Sequence, residues 1–194
     1  MHSLSGGLVL GYHGCDAEIA EKLLGGEDFL FSGNPWDWLG PGAYFWETNP
    51  RRGYEFAVEL KQRKYKHNKI ETPAVVGAVI NPGLCLDLAT AAGIEIVRDA
   101  HRRLVDLYED AELELPRNET DLLRRNLDCA VIEFVHGLRE IEGDPSVDSV
   151  RGVFIEGGPI YESSGFYART HIQIAIRNPN CIKGVFRVAP DLYK

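Results

Sequence analysis

The chain has 194 residues, of which 44% are hydrophobic and 26% are charged. This length and balance indicate one globular domain with a sizeable core, and they exclude disordered, collagen-like and coiled-coil proteins. The net charge of −8, from 21 basic and 29 acidic side chains, disfavours a general nucleic-acid coat protein.

No apolar run approaches the ~20 residues that a membrane helix needs. The first six residues have neither the basic nor the apolar region of a secretion signal. We therefore expect a cytoplasmic protein without a membrane partner. The cysteines lack C-x-x-C spacing, which predicts buried thiols and no metal site. They are Cys15, Cys85, Cys129 and Cys181.

The first half of the chain predicts short strands alternating with helices. An apolar run predicts a strand that ends at His13-Gly14, and Asp16 is placed to cap the helix that follows. A loop rich in Gly, Pro and Trp covers residues 29–42. The predicted elements, in order, are strand Gly7–Tyr12, helix Ala17–Leu24, strand Ala43–Trp46, a helix from Pro50 to about Lys66, and strand Pro73–Asn81.

The second half predicts a helical hairpin followed by more strands. Residues 88–142 carry two amphipathic patterns, at about Ala91–Leu113 and Glu119–Ile141, with a turn near Pro116. Strands are predicted at Gly152–Ile155, His171–Arg177 and Ile182–Val188. Strands at both ends with a hairpin between them are typical of a single α+β domain, residues 1–194, with antiparallel pairing.

Two segments carry the first functional signals. Tyr12-His13-Gly14 ends the first strand, where a ring N–H can meet a ligand and a glycine lets it approach the backbone. Gly40 to Glu47 reads GPGAYFWE, and the flat, polar-tipped ring of Tyr44 is suited to stacking on a heteroaromatic ring. A structural histidine and an aromatic core strand remain the alternatives.

The order of these motifs resembles the ADP-ribosyltransferase superfamily, closest to its histidine–tyrosine branch of diphtheria-type toxins and poly(ADP-ribose) polymerases. The resemblance implies a fold of split antiparallel β-sheets with flanking helices, here with an inserted helical hairpin. It implies that His13 contacts the adenosine ribose of NAD and that the Gly14 backbone pairs with the nicotinamide carboxamide. It also implies that Tyr44 and Tyr54 stack on the two sides of the nicotinamide ring.

The third motif of that branch is a strand that begins with a catalytic glutamate, and this chain departs from it. Gln173, in His171-Ile172-Gln173-Ile174, stands where the glutamate is expected. A glutamine keeps a hydrogen bond but supplies no negative charge to an oxocarbenium-like transition state. Glu162, on the Gly-rich loop before this strand, is the alternative carboxylate, unless it is only a solvated loop residue.

Two other features allow a functional and a structural interpretation. The basic run Lys61 to Lys69 fits a phosphate or RNA contact, or cations that complement a helix C-terminus. Asp37, between two tryptophans, fits a ribose contact or a polar loop cap.

The sequence therefore predicts an NAD-dependent mono-ADP-ribosyltransferase with NAD as co-substrate and no metal. Its acceptor is expected to be an intracellular macromolecule, protein rather than nucleic acid, and a toxin or effector role follows by analogy. Its predicted catalytic residues are Gln173, Glu162 and His13. The alternatives are an NAD glycohydrolase, a non-catalytic NAD or ADP-ribose binding module, and an RNA 2′-phosphotransferase.

Overall fold

The computed structural model describes residues 7–63, 70–120 and 124–194. Its helices are α1 (Ala17–Leu24), α2 (Pro50–Gln62), α3 (Ala91–Asp110) and α4 (Asn126–Glu142). Its strands are β1 (Val9–Asp16), β2 (Ala43–Glu47), β3 (Pro73–Ile80), β4 (Cys85–Asp87), β5 (Ser149–Phe154), β6 (His171–Ile176) and β7 (Ile182–Arg187). The α+β class and the helical segments α1 to α4 are confirmed.

The strands form one seven-stranded sheet in the order β4-β5-β6-β2-β1-β3-β7. Neighbours pair antiparallel, except β4 and β5, which are parallel. This corrects the expectation of two split sheets, because β2 and β6 are hydrogen-bonded and join the two halves. Strand β4 was not predicted, since three residues are too few to show a period.

Alternation along the strands separates two faces of the sheet. On the α1 face, Leu23 of α1 packs on Phe45, Ile174 and Ile176. On the α2 face, Tyr54 of α2 packs near Tyr12, and residues of α3 and α4 pack on Tyr44 and Ala175. Any ligand site on the central strands therefore belongs to one face or the other.

Helix α2 lies unusually close to β1. A Cβ atom on Gly14 would lie 1.9 Å from the carbonyl oxygen of Gly53, so only glycine permits this approach. Asn49 fixes the start of the helix, because its side chain accepts a hydrogen bond from the Arg52 amide at 3.0 Å. The helix ends at Gln62, earlier than the predicted Lys66.

The hairpin helices also end or begin inside their predicted limits. Helix α3 ends at Asp110, before Glu112, which has a φ of 53°. Helix α4 begins at Asn126 because Asn118 caps it from outside, accepting from the amides of Leu127 and Asp128. In the described part of the chain, no helix has both the length and the apolarity required to cross a bilayer.

Candidate functional site

Four of the six predicted site residues lie on the adjacent central strands β1, β2 and β6: His13, Gly14, Tyr44 and Gln173. Trp46 of β2 lies opposite Tyr12 of β1 on one side and opposite Gln173 of β6 on the other. Tyr44 lies opposite Ala175, two residues along β6. Tyr44 and Gln173 therefore share the α2 face.

His13 lies on the other face of the sheet. Because Tyr12 pairs with Trp46, the next residue shares its face with Phe45 and not with Tyr44. The His13 ring packs 5.3 Å from the Phe29 ring and 5.7 Å from the Phe45 ring, and its Nδ1 lies 2.9 Å from the Tyr44 carbonyl oxygen. Burial lowers the pKa of His13. A ligand that touched both His13 and Gln173 would have to reach both faces.

The two predicted clamp tyrosines occupy separate clusters. The Tyr44 hydroxyl donates to the Gly40 carbonyl at 2.8 Å and accepts from the Leu39 amide at 3.1 Å, which holds the preceding loop against the sheet. Burial raises the pKa of Tyr44. Tyr54 packs beside Tyr193, with 4.9 Å between ring centroids. The structure thus does not bring the two rings together as a clamp.

Two other predicted site residues, Gly14 and Glu162, lie in different surroundings. Gly14 is occupied by its contact with α2, as described above. Glu162 is exposed and makes no ion pair with the described residues. Its loop is closed at the base, where the Arg169 amide donates to the Glu156 carbonyl at 3.0 Å. Of the basic run, residues 64–69 lie outside the described residues.

Four neighbouring side chains on the α2 face form what we call the Gln173 cluster: Trp46, Arg52, His171 and Gln173. They are only 2%, 7%, 5% and 5% exposed, respectively. Each has a buried polar atom without a hydrogen-bond partner among the described residues: Trp46 Nε1, Arg52 Nε, His171 Nε2 and Gln173 Oε1. Buried polar atoms are almost always paired, so an unpaired group of four makes this patch the candidate binding site.

Register and ring distances show that these four side chains are neighbours. Gln173 lies directly opposite Trp46, and His171 is two residues before Gln173 on the same face. The Trp46 ring lies 6.4 Å from the His171 ring and 5.9 Å from Arg52 Cζ. The unpaired atoms therefore belong to one patch of the sheet.

Charged groups border the cluster on its solvent side. Arg52 donates from Nη1 to Glu59 at 3.3 Å and from Nη2 to Glu156 at 3.1 Å. Arg169 donates to the same Glu59 oxygen at 3.0 Å. The side chains of Glu59 and Glu156 are about a quarter exposed, at 26% and 25%. The buried cluster thus meets solvent through two carboxylates.

Aromatic rings border the cluster on its other sides. Phe56 packs 4.8 Å from Trp46, and Phe154 packs 5.7 Å from His171. Trp38 continues the wall, 3.7 Å from Phe154, and the Arg125 guanidinium carbon lies 3.9 Å from the Trp38 ring centroid. This apolar wall strengthens polar contacts made inside it.

The tautomer of His171 determines which hydrogen-bond donors and acceptors the Gln173 cluster presents. Its Nδ1 lies 2.8 Å from the Arg169 carbonyl oxygen, so Nδ1 carries the proton and donates. Burial lowers the pKa of His171, and the hydrogen bond and the nearby Glu156 oppose this. The cluster then offers two acceptors, His171 Nε2 and Gln173 Oε1, and two donors, Trp46 Nε1–H and Arg52 Nε–H. A carboxamide or a sugar diol has the complementary groups.

Sequence reasoning did not select Trp46, Arg52, His171 or Glu156. The usable signal was local: His171 precedes Gln173 by two residues on a strand, so the two share a face. The partners on α2 depend on the tertiary packing. Within the described ranges, no three His, Cys, Asp or Glu side chains converge as they would around a metal ion.

Comparison with known proteins gives a distant relative. The chain is 24% identical over 190 residues to the "Uncharacterized protein MJ0359" of Methanocaldococcus jannaschii, covering 89% of this chain and 83% of that protein. No family model matches the sequence, and no solved structure matches it.

Proposed function

We propose that this protein is an ADP-ribosyltransferase-like enzyme that binds NAD on the α2 face of its sheet. The reaction would break the bond between nicotinamide and ribose and transfer ADP-ribose to a macromolecular acceptor. The observation that carries the proposal is Gln173. It stands at the third-motif position, is 5% exposed, and keeps an unpaired carboxamide oxygen beside His171 and Trp46.

The hydrogen-bonding pattern of the Gln173 cluster supports NAD as the ligand. The nicotinamide group carries a carboxamide with both a donor and an acceptor, and its ribose carries a diol. Two donors and two acceptors in a buried patch suit either group. Of the residues predicted to touch NAD, Gln173 belongs to the cluster. Tyr44 shares its face, and His13 braces the backbone of Tyr44 from the opposite face.

A second candidate function is a non-catalytic NAD or ADP-ribose binding module. The neutral amide of Gln173 favours it, because breaking the glycosidic bond develops positive charge on the ribose. A missing electrostatic contact of this kind typically costs on the order of 10²-fold in rate. Binding of NAD without any nicotinamide release would decide for the module.

Nicotinamide release from NAD tests the proposal directly. The purified chain is incubated with NAD, with and without cell lysate, and nicotinamide and labelled macromolecules are measured. We expect slow release and a labelled acceptor. Free ADP-ribose without labelled macromolecules would indicate a glycohydrolase instead. No detectable NAD binding by calorimetry would overturn both NAD-based functions.

Substitutions at Gln173 sharpen this test. Gln173→Ala should reduce release by about 10²-fold, whereas Gln173→Glu should raise it by restoring a charge at the ribose. Gln62→Ala is the matched control, because Gln62 is exposed at the end of α2. Equal turnover in all three variants would show that the third motif is misassigned.

A further inference from the structure

His171 is held as a base would be held. Its Nδ1–H bond to the Arg169 carbonyl, at 2.8 Å, fixes the ring and directs Nε2 away from that partner. Nε2 is buried and has no hydrogen-bond partner among the described residues. A histidine with one nitrogen anchored and the other unpaired beside a ligand site has the geometry of a proton acceptor.

Charged groups surround this ring from every element packed against it. Arg52 and Glu59 face it from α2 and Glu156 from the segment after β5, while Arg169, in the loop before β6, contributes its backbone carbonyl. The Arg125 guanidinium, at the start of α4, lies 5.4 Å from the centroid of Phe154, the ring beside His171. Glu156 and Glu59 favour a proton on His171, whereas Arg52 and burial disfavour it.

We propose that His171 is the catalytic base of the Gln173 cluster and that Glu156, held by Arg52, tunes it. This inference rests on the proposed function. The bond between ribose C1′ and the pyridinium nitrogen breaks, and its electron pair leaves with neutral nicotinamide. The acceptor's oxygen or nitrogen forms the new bond to C1′, and its proton passes to His171 Nε2. The imidazolium then returns the proton to water.

Ion pairs lie at the solvent edge of the Gln173 cluster. Glu59 and Glu156 are each about a quarter exposed and both bind Arg52, so an entering acceptor must displace part of this network. Glu59 has a second partner in Arg169, and Glu156 is close enough to the Arg125 guanidinium to interact with it as well as with Arg52. Each carboxylate at this edge therefore lies near two cations.

The tautomer and titration of His171 test the base without needing turnover. The full chain labelled with ¹⁵N-histidine is titrated by NMR, and His171→Asn, which keeps a donor for the Arg169 carbonyl, assigns the signal. We expect a neutral ring with the proton on Nδ1 at pH 7. Glu156→Gln should shift the titration to lower pH. A proton on Nε2, or no shift in Glu156→Gln, would overturn the proposal.

Activity assays separate this inference from the proposed function. At saturating NAD, His171→Asn should lower transfer to the acceptor by about 10²-fold or more. His101→Asn, on α3, is the matched control. If the wild type is active and His171→Asn transfers ADP-ribose at the full rate, His171 is not the catalytic base, but the proposed function stands. An inactive wild type would overturn the proposed function, while the NMR result would still judge His171.

Discussion

Two polar clusters lie on opposite faces of the sheet, and only one of them is internally satisfied. On the α1 face, Arg151 binds Glu47 at 2.7 and 3.2 Å and both oxygens of Asp87 at 3.2 Å. We call this group the Arg151 triad. On the α2 face, the Gln173 cluster has four buried atoms without partners among the described residues.

The contrast begins at one dipeptide of β2. Trp46 points into the Gln173 cluster and Glu47 into the Arg151 triad, because successive side chains alternate across a strand. The triad needs no ligand, since its carboxylates and guanidinium pair with one another. The Gln173 cluster buries polar groups without completing their hydrogen bonds among the described residues. The proposed function explains an incomplete network of this kind, because a bound ligand would complete its hydrogen bonds.

Breaking the Arg151 triad should give the largest effect on stability. The three side chains are only 12–17% exposed, so Arg151→Met would leave two largely buried carboxylates without their cation. We expect a loss of about 3 kcal/mol in the free energy of unfolding, measured by urea denaturation.

The matched control for this substitution is Arg102→Met. Arg102 pairs with Asp99 on the surface of α3, where both side chains are more than half exposed. Its loss should cost less than about 1 kcal/mol. Similar losses in the two variants would contradict the view that the triad is a buried structural device.

His136, which lies outside the Gln173 cluster, also has unpaired ring nitrogens, and we expect them to affect the stability of the protein. Both of its ring nitrogens are buried without a partner among the described residues. Burial, with Arg177 and Arg139 nearby, lowers the pKa of His136 from 6.5 to about 4. The unfolded chain therefore binds this proton below about pH 6.5, whereas the native state stays neutral until about pH 4. The lowered pKa means that stability falls as the pH drops through this window.

The expected size of this effect is about 2–3 kcal/mol between pH 6.5 and pH 4. His171 and His13 contribute in the same direction, so the measurement is the difference between wild type and His136→Leu. Urea denaturation across the window should show a flatter pH dependence in the variant. Parallel curves would mean that His136 is not held neutral by burial.

The sequence was sufficient for the α+β class, the hairpin and the strand that carries Gln173, because each depends on local period and composition. It was insufficient to predict which side chains share a face of the sheet. Whether His13 joins Tyr44 depends on the register between β1 and β2, which is set across the long loop at residues 29–42. The single sheet depends on pairing between β2 and β6, far apart in the chain. Trp46, Arg52 and His171 become a cluster only after that pairing forms.

The smallest predicted change in stability, from Gln173→Leu, distinguishes the two clusters most directly, because it should be a gain and not a loss. Gln173 is almost fully buried, and its carboxamide oxygen has no partner among the described residues. An unpaired buried amide costs about 1–3 kcal/mol. Gln173→Leu replaces the amide with an apolar group of similar length, next to Trp46 and Phe154. We expect a gain of about 1 kcal/mol, or roughly 2–4 °C in Tm, together with weaker NAD binding.

Ser149→Ala is the opposing control, because it removes a buried polar group that is satisfied. Ser149 is fully buried, and its hydroxyl donates to the Pro82 carbonyl at 2.7 Å. Its loss leaves that carbonyl unpaired and should cost about 1 kcal/mol. Opposite signs in the two variants, measured by calorimetric Tm, would show that Gln173 is kept for a ligand and at the expense of stability. If Gln173→Leu instead destabilised the protein as Ser149→Ala does, Gln173 would be a structural residue. The proposal that NAD binds on the α2 face would then be wrong.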